Sequence, residues 1–142
     1  MVIRFEMDIA LLVAALDDLA ERGQAAALLG AQAAAAVAET SVKRQLSLYS
    51  HKKGTPTPSP RGSPPAIVSG TLRRSVIKET GPGYVDVGPT AVYARIQELG
   101  GETGRRGATT LPPRPYVQPA YEMSLPAMQT AALAAIRYAL GF

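Results

Sequence analysis

The residues best suited to chemistry in this sequence are one histidine and the basic side chains that follow it. His51 precedes Lys52 and Lys53, and the chain contains no cysteine. A lone histidine with neither a second histidine nor a cysteine does not form a typical metal site. No phosphate-binding glycine loop, nucleophile elbow or metalloprotease motif occurs, and the placing of the acidic residues supports no acid/base pair. We therefore predict no catalytic residue, no metal and no cofactor, and expect that the protein is not an enzyme.

The basic side chains are concentrated in one segment. Residues 1–50 carry four basic and six acidic side chains, whereas residues 51–78 carry six basic and no acidic ones. Such a segment can bind phosphates or an acidic protein surface, and a solvated loop explains it equally well. Aromatic residues are not interleaved with the basic ones, and no helix-turn-helix or zinc-finger spacing occurs. Sequence-specific binding of nucleic acid is not expected, but a small basic nucleic-acid-binding protein remains an alternative function.

Length and composition indicate one soluble domain. The 142 residues suffice for one hydrophobic core, so we assign residues 1–142 to a single domain, with residues 50–68 as an extended, basic, Pro-rich arm. The apolar run that begins at Ile9 has acidic residues before it and no cleavage pattern after it, which argues against a secretory signal. Charged residues interrupt it before the roughly 20 apolar residues that a membrane helix needs. No membrane association is expected.

Apolar spacing predicts a long helical region near the N-terminus. Residues 2–7 have the composition of a strand, and Asp8 could cap the helix that follows. From Ile9 the spacing predicts a helix with a buried face that breaks near Gly23; that face comprises Leu12, Val13, Leu16 and Leu19. A second helix is predicted over residues 24–49. Its Ala-rich middle requires a very close partner, either the sheet of the same chain or the same helix of a neighbouring subunit.

Two proline-rich segments interrupt the remaining pattern. Residues 54–65 contain five prolines, and residues 111–119 contain four. Proline lacks the backbone N–H and fixes φ, so neither segment can form a helix or a central strand. We predict an extended arm for the first, with a disordered linker as the alternative. The arm has too few apolar residues to fold alone and is expected to become ordered only when it docks on a neighbouring subunit or on another ring. The second segment is predicted to be an edge strand or an extended crossing.

The rest of the chain predicts short strands and a final helix. A turn at Gly81-Pro82-Gly83 predicts a hairpin over residues 75–88, followed by a helix over residues 91–99 that Thr90 caps. Residues 102–110 are expected to form a flexible loop, and a C-terminal helix is predicted from residue 119 or 125 to 140, with Pro126 at its start or at a kink. The predicted fold class is α+β, with a long N-terminal helical region and a C-terminal helix packed on a small, mainly antiparallel sheet.

Three segments together resemble a family of phage proteins. They are Pro64-Pro-Ala-Ile-Val-Ser-Gly-Thr-Leu-Arg-Arg-Ser-Val76, Val87-Gly-Pro-Thr-Ala-Val-Tyr-Ala-Arg-Ile-Gln-Glu-Leu-Gly-Gly101 and Leu111-Pro-Pro-Arg-Pro-Tyr-Val-Gln-Pro-Ala120. In this order, after a long helical region and before a C-terminal helix, they resemble the head-tail joining (neck, or tail-completion) proteins of tailed bacteriophages with long non-contractile tails. Ser69 stands where that family often has Thr, and many members lack the proline arm.

The resemblance implies a structural subunit of the virion. It implies a homomeric ring, most simply of six copies, that joins capsid and tail at the head-tail joint after assembly in the host cytoplasm. Its partners would be the adjoining head-side connector and tail-side ring proteins, with genomic DNA passing through an axial channel without sequence-specific binding. We expect the basic side chains to contact acidic surfaces of those rings; they are Lys52, Lys53, Arg61, Arg73, Arg74 and Arg114. For Arg114 an ion pair within the chain is an equal alternative.

Overall fold

The computed structural model describes residues 9–54 and 59–142. The strand predicted over residues 2–7 and the cap predicted at Asp8 lie outside the described residues. The helices are α1 (Ile9–Gln45), α2 (Thr71–Arg74), α3 (Ala94–Leu99) and α4 (Val117–Leu140). The strands are β1 (Val76–Gly81), β2 (Tyr84–Pro89), β3 (Gly101–Thr103) and β4 (Thr109–Leu111).

Helix α1 is one continuous helix of 37 residues, so the predicted break near Gly23 is wrong. A glycine inside a helix costs only about 1 kcal/mol relative to alanine, which long flanking segments with high helix propensity easily offset. The helix ends at Gln45 rather than at Tyr49, because the amides of Ser47 and Leu48 bond back to the carbonyls of Arg44 and Gln45 in tighter turns.

By length and composition alone, α1 passes the test for a helix that crosses a membrane. The expectation that no segment is long and apolar enough is therefore wrong by this criterion. The signal is weak, since core helices of soluble proteins also pass such a test.

The Ala-rich part of α1 packs closely against α4, which is neither the sheet nor the same helix of a neighbouring subunit that the sequence suggested. The Ser41 hydroxyl donates to the Ala120 carbonyl at 2.9 Å near one end of the pair. Near the other end, a Cβ placed on Gly30 would lie 2.7 Å from the Cγ1 atom of Ile136. Rising residue numbers on α1 therefore meet falling numbers on α4, and the two helices run antiparallel. Small residues on α1 allow this close approach.

Helix α4 begins at Val117, earlier than either predicted start, and Pro126 lies inside it. Pro119 falls in the first turn, where a helix needs no amide donor. Neither proline therefore determines where α4 begins.

The strands form two antiparallel hairpins rather than one sheet. In the first, β1 pairs with β2 in the register Val76↔Pro89 to Gly81↔Tyr84, which confirms the predicted hairpin and its turn. In the second, β3 pairs with β4, so residues 102–110 are an ordered hairpin and not the predicted flexible loop. Helix α3 starts at Ala94 without a cap from Thr90, whose hydroxyl instead donates to the Ser75 carbonyl at 3.1 Å.

The hydrophobic core lies where the end of α1, the first hairpin and the start of α4 meet. Its buried members are Val42, Leu46, Val76, Tyr116 and Ala120. Long helices at both ends of the chain and small antiparallel sheets between them confirm the predicted α+β class.

The first part of α1 lies outside this core. Every residue from Ile9 to Arg22 is exposed, and Ala26 is the first buried residue of the helix. The prediction that Leu12, Val13, Leu16 and Leu19 form a buried face is therefore wrong within the chain. The spacing identified one apolar face, but α4 does not extend far enough to cover it.

Candidate partner-binding cleft

The segment between the proline arm and the first hairpin is shaped by a glycine and two hydroxyls. Gly70 has a φ of 74°, a left-handed conformation that glycine adopts without strain. The Ser69 and Thr71 hydroxyls lie 2.8 Å apart, and the Ser69 hydroxyl also accepts the Thr71 amide at 3.3 Å. This turn starts α2, whose last residues are Arg73 and Arg74.

Glu98, on α3, holds the start of α4. Its Oε2 atom accepts the backbone amides of Tyr116 at 2.7 Å and Val117 at 3.0 Å, and Oε1 accepts that of Gln118 at 3.2 Å. The first amides of a helix have no partner within the helix, and its N-terminus favours negative charge. One carboxylate therefore satisfies three such donors and joins two of the segments on which the resemblance rests.

Tyr116 fixes the same junction from inside the core. Its side chain is fully buried, and its hydroxyl donates to the Ala94 carbonyl at 3.3 Å. Burial, with a smaller contribution from the nearby Glu98 carboxylate, raises the pKa of Tyr116 to about 12. The phenol is therefore a structural hydrogen-bond donor that stays protonated well above neutral pH.

Gly100 allows α3 to approach the second proline-rich segment. It has a φ of 69°, and a Cβ at this position would lie 2.7 Å from both the Leu111 carbonyl oxygen and the Pro113 nitrogen. The Arg114 amide donates to the Gln97 carbonyl at 2.9 Å across the same contact. The segment therefore crosses over the body in an extended form, one of its two predicted structures.

The three segments of the resemblance line one cleft of about 360 Å³. The first segment contributes Ser69, Thr71 and Arg73, the second Tyr93 and Gln97, and the third Leu111 and Arg114. Leu46 and Leu72 lie at its apolar side, and the proline arm closes one edge. Segments far apart in sequence thus form one surface, which we call the motif cleft.

The charged side chains of the motif cleft are arginines. Arg114 donates from Nη1 to the Ser59 hydroxyl, and Arg73 donates from Nη1 to the Ser47 hydroxyl at 3.0 Å. No Asp or Glu is among the described residues that line the cleft, and neither arginine pairs with a described carboxylate. The ion pair considered for Arg114 is thus not formed within the described ranges. A guanidinium has five N–H donors, so each arginine can still bind an acceptor.

The other four predicted interface residues lie outside the cleft. Arg74 turns back to the Ser69 carbonyl at 3.0 Å, while Lys52, Lys53 and Arg61 are exposed along the arm. His51 lines the cleft, with Nδ1 3.0 Å from the Lys52 carbonyl oxygen. In residues 9–54 and 59–142 no group of acidic, His or Cys side chains has the arrangement of a metal site.

The described part of the proline arm packs on its own body, which corrects the expectation that a neighbour is needed to order it. Ser59 is only 7% exposed and Pro64 is buried. Ile67 donates its amide to the Tyr49 carbonyl at 2.7 Å, and the His51 amide donates to the Ile67 carbonyl at 3.1 Å. Ser59 and residues 65–68 of the arm thus form an edge of the cleft.

Sequence reasoning missed Glu98 and Ser59. A signal for Glu98 exists, because the residue at the N-cap of α4 is Tyr116, whose side chain cannot cap a helix. A helix without its own cap needs an acceptor from elsewhere in the fold. Ser59 has no such signal, since one serine among many prolines is unremarkable.

Comparison of the chain with family models, with curated proteins and with solved structures gave no match.

Proposed function

We propose that the protein is a non-enzymatic structural subunit of a phage head-tail joint, a ring that connects capsid and tail around a channel for DNA. The proposal rests on the order of the three sequence segments and on their position in the fold. In this reading the motif cleft receives an acidic segment of an adjoining ring protein.

The observation that carries the proposal is the convergence of these segments on the motif cleft. Two of their side chains have a structural role, since Glu98 and Tyr116 hold α3 against α4. Their exposed polar atoms surround two arginines that have no described carboxylate partner. A scaffold that presents cations beside apolar walls suits the binding of a peptide that carries both aliphatic and acidic side chains.

The charge pattern favours an acidic protein over DNA as the partner of these arginines. A subunit that neutralised six to ten phosphates would lose DNA affinity steeply with salt, and a whole ring of such subunits would hold DNA tightly. A channel must instead let DNA slide. Two arginines that line one cleft can bind the carboxylates of a single acidic segment.

The most direct test is electron microscopy of phage particles produced without this chain. We expect full heads and separate tails that fail to join, and joined particles when the chain is supplied in trans. Normal joined particles in its absence would contradict the proposal.

The alternative, a small basic nucleic-acid-binding protein, has a different signature. The purified chain would bind DNA with an affinity that falls steeply as salt rises, and would do so as a monomer. We expect weak DNA binding and a closed ring in the particle.

A further inference from the structure

The two arginines of the motif cleft are held by neutral acceptors. Arg114 donates from Nη1 to the Ser59 hydroxyl, and Arg73 donates from Nη1 to the Ser47 hydroxyl at 3.0 Å. The partners are distant in sequence, 55 residues apart in the first pair and 26 in the second. Each guanidinium has five N–H groups and gives one of them to its serine. Two bonds that only the fold can bring together therefore fix where these guanidinium groups lie.

Ser59 is the more enclosed of the two serines. It is 7% exposed, whereas Ser47 is exposed just after the end of α1. A buried hydroxyl is costly without a hydrogen-bond partner, so its bond with Arg114 helps to hold the described part of the arm on the body. The two backbone bonds between Ile67 and residues 49–51 hold the same part of the arm. Ser59 is therefore an acceptor in a fixed position.

A serine hydroxyl positions a guanidinium without neutralising it. A carboxylate at the same place would form a charge-assisted bond and offset the positive charge. No Asp or Glu is among the described residues that line the motif cleft. The ion pairs found in the described chain, Asp18 with Arg22 and Glu39 with Lys43, both lie on α1. The cleft therefore combines guanidinium groups in fixed positions with positive charge that the described residues leave uncompensated.

Fixing an arginine before binding favours the bound state. A free arginine side chain has many rotamers, and binding must restrict them at a cost in free energy. In the motif cleft, folding has already restricted Arg73 and Arg114. A carboxylate that enters the cleft therefore meets donors that do not have to be ordered by the ligand.

We infer that Ser59 and Ser47 are positioning residues for acidic ligands of the motif cleft. Ser59 acts through Arg114. Ser47 acts in the same way through Arg73. The inference rests on the proposed function in one respect, that the ligand of this cleft is an acidic protein segment. It goes further by assigning the proline arm a role in recognition, because the arm supplies the hydroxyl that holds Arg114.

Fluorescence anisotropy with a defined acidic probe tests this role on the full chain. The probe is a labelled peptide of alternating glutamate and leucine, and its matched control carries glutamine in place of glutamate. We expect Ser59→Asp to weaken binding of the glutamate peptide by about 10-fold or more, because the new carboxylate neutralises Arg114. Ser59→Asn has nearly the same size and no charge, and its amide oxygen can still accept from Arg114. It should weaken binding much less than Ser59→Asp does.

Removal of the acceptor should have an intermediate effect. Ser59→Ala should weaken binding by roughly 3- to 10-fold, because Arg114 regains rotamers that binding must then restrict. The matched control is Ser63, another serine of the arm, which does not line the motif cleft. Ser63→Ala should leave binding unchanged. Ser63→Asp changes the net charge as Ser59→Asp does, and should weaken binding by less than about threefold at physiological salt, where charges outside the cleft are screened.

Ser47 provides the same comparison at an exposed position, where a substitution does not endanger folding. Ser47→Asp should weaken binding more than Ser47→Asn does. The difference should be smaller than at Ser59, because Ser47 and Arg73 are both exposed to water. Circular dichroism and thermal unfolding verify that each variant is folded. If the variants of Ser59 do not fold, the pair of variants at Ser47 decides.

Three results would overturn the inference. Equal effects of the Asp and Asn substitutions in folded variants would show that the hydroxyls have only a structural role. Equal binding of the glutamate and glutamine peptides by the unmodified chain would show that the cleft does not select carboxylates. Displacement of the glutamate peptide by short duplex DNA at equal concentration would assign the two arginines to phosphates instead.

The outcome can be separated from that of the proposed function. If the serine variants behave as expected but particles join normally without the chain, the connector role is wrong and the positioning role stands. If the glutamate peptide binds no better than the glutamine peptide but heads and tails fail to join without the chain, the positioning role is wrong and the connector role stands.

Discussion

The two ends of α1 both carry apolar side chains at helical spacing, but they differ in what covers those side chains. Near the C-terminal end of the helix, Val42 and Leu46 are buried in the core against the first hairpin and the start of α4. Near the N-terminal end, Leu12 and Leu16 occupy the same kind of position and are exposed. Periodicity therefore identifies the face of a helix that avoids water, while the lengths of the neighbouring elements decide whether the same chain covers it.

The sharpest test of this difference truncates one leucine at each end. Leu46→Ala should lower the free energy of unfolding by about 2–5 kcal/mol, because it removes buried methyl groups and leaves a cavity. Leu16→Ala should change it by less than about 0.5 kcal/mol in the monomer, since the side chain is exposed. Urea denaturation at low protein concentration measures both. Equal losses would show that residues 9–22 of α1 are part of the folded core.

Two glycines of α1, seven residues apart and therefore on one side of the helix, provide a similar comparison. Gly30→Ala should destabilise the protein by about 1–3 kcal/mol, because the new methyl group would lie 2.7 Å from Ile136 and 3.2 Å from the Ala132 carbonyl oxygen. Gly23→Ala meets no atom within 4 Å, and should stabilise the helix by up to about 1 kcal/mol. Thermal unfolding of the two variants should shift in opposite directions. A stabilising Gly30→Ala would contradict the close packing of α1 on α4.

The stability of the core around the C-terminal end of α1 also depends on how the start of α4 is held. Glu98→Gln should cost about 1 kcal/mol, since it removes the charge that faces three amides at the start of α4. The control is Glu79→Gln, an exposed position on β1 with no such role. Chemical denaturation of both variants checks the prediction, and equal effects would show that Glu98 is not a cap.

The expected effect of the Tyr116 hydroxyl is similar in size to that of the Glu98 carboxylate. Tyr116→Phe should cost about 0.5–1.5 kcal/mol by removing its bond to Ala94. Because the folded pKa of about 12 lies above the ordinary value of 10.0, the stabilisation is complete below pH 10 and is lost as pH rises through 12. Absorbance titration should show one late tyrosinate step, which Tyr116→Phe removes and Tyr138→Phe leaves. An unchanged titration of Tyr116→Phe would contradict the assignment.

The fold class could be predicted from the sequence because each signal was local. The turn at Gly81-Pro82-Gly83 and the helical spacing of both long segments need no knowledge of distant residues. The predictions that failed depend on residues that are far apart in the sequence. The continuity of α1 at Gly23 depends on the balance of propensity over the whole helix, and the exposure of Leu16 depends on where α4 ends.

The motif cleft could be predicted only in part. The predicted interface included Arg73 and Arg114, which do share the cleft, but it also included Lys52, Lys53 and Arg61, which do not line it. The sequence does not show which basic side chains lie close together, because their proximity depends on how the second proline-rich segment crosses α3. The missing cap at Tyr116 indicates that an acceptor is needed, but it does not identify Glu98, because the partners of Glu98 lie 18 or more residues away along the chain.

The measurement that tests the account most directly is complementation of particle assembly, scored by electron microscopy. Phage lacking the chain are supplied in trans with the wild type, with Arg73→Ala and Arg114→Ala together, or with the control Arg95→Ala and Arg105→Ala, which removes two exposed cations outside the motif cleft. The account predicts joined particles with the wild type and the control, and mostly separate heads and tails with the folded cleft variant. Equal joining by the cleft variant and the control would contradict it.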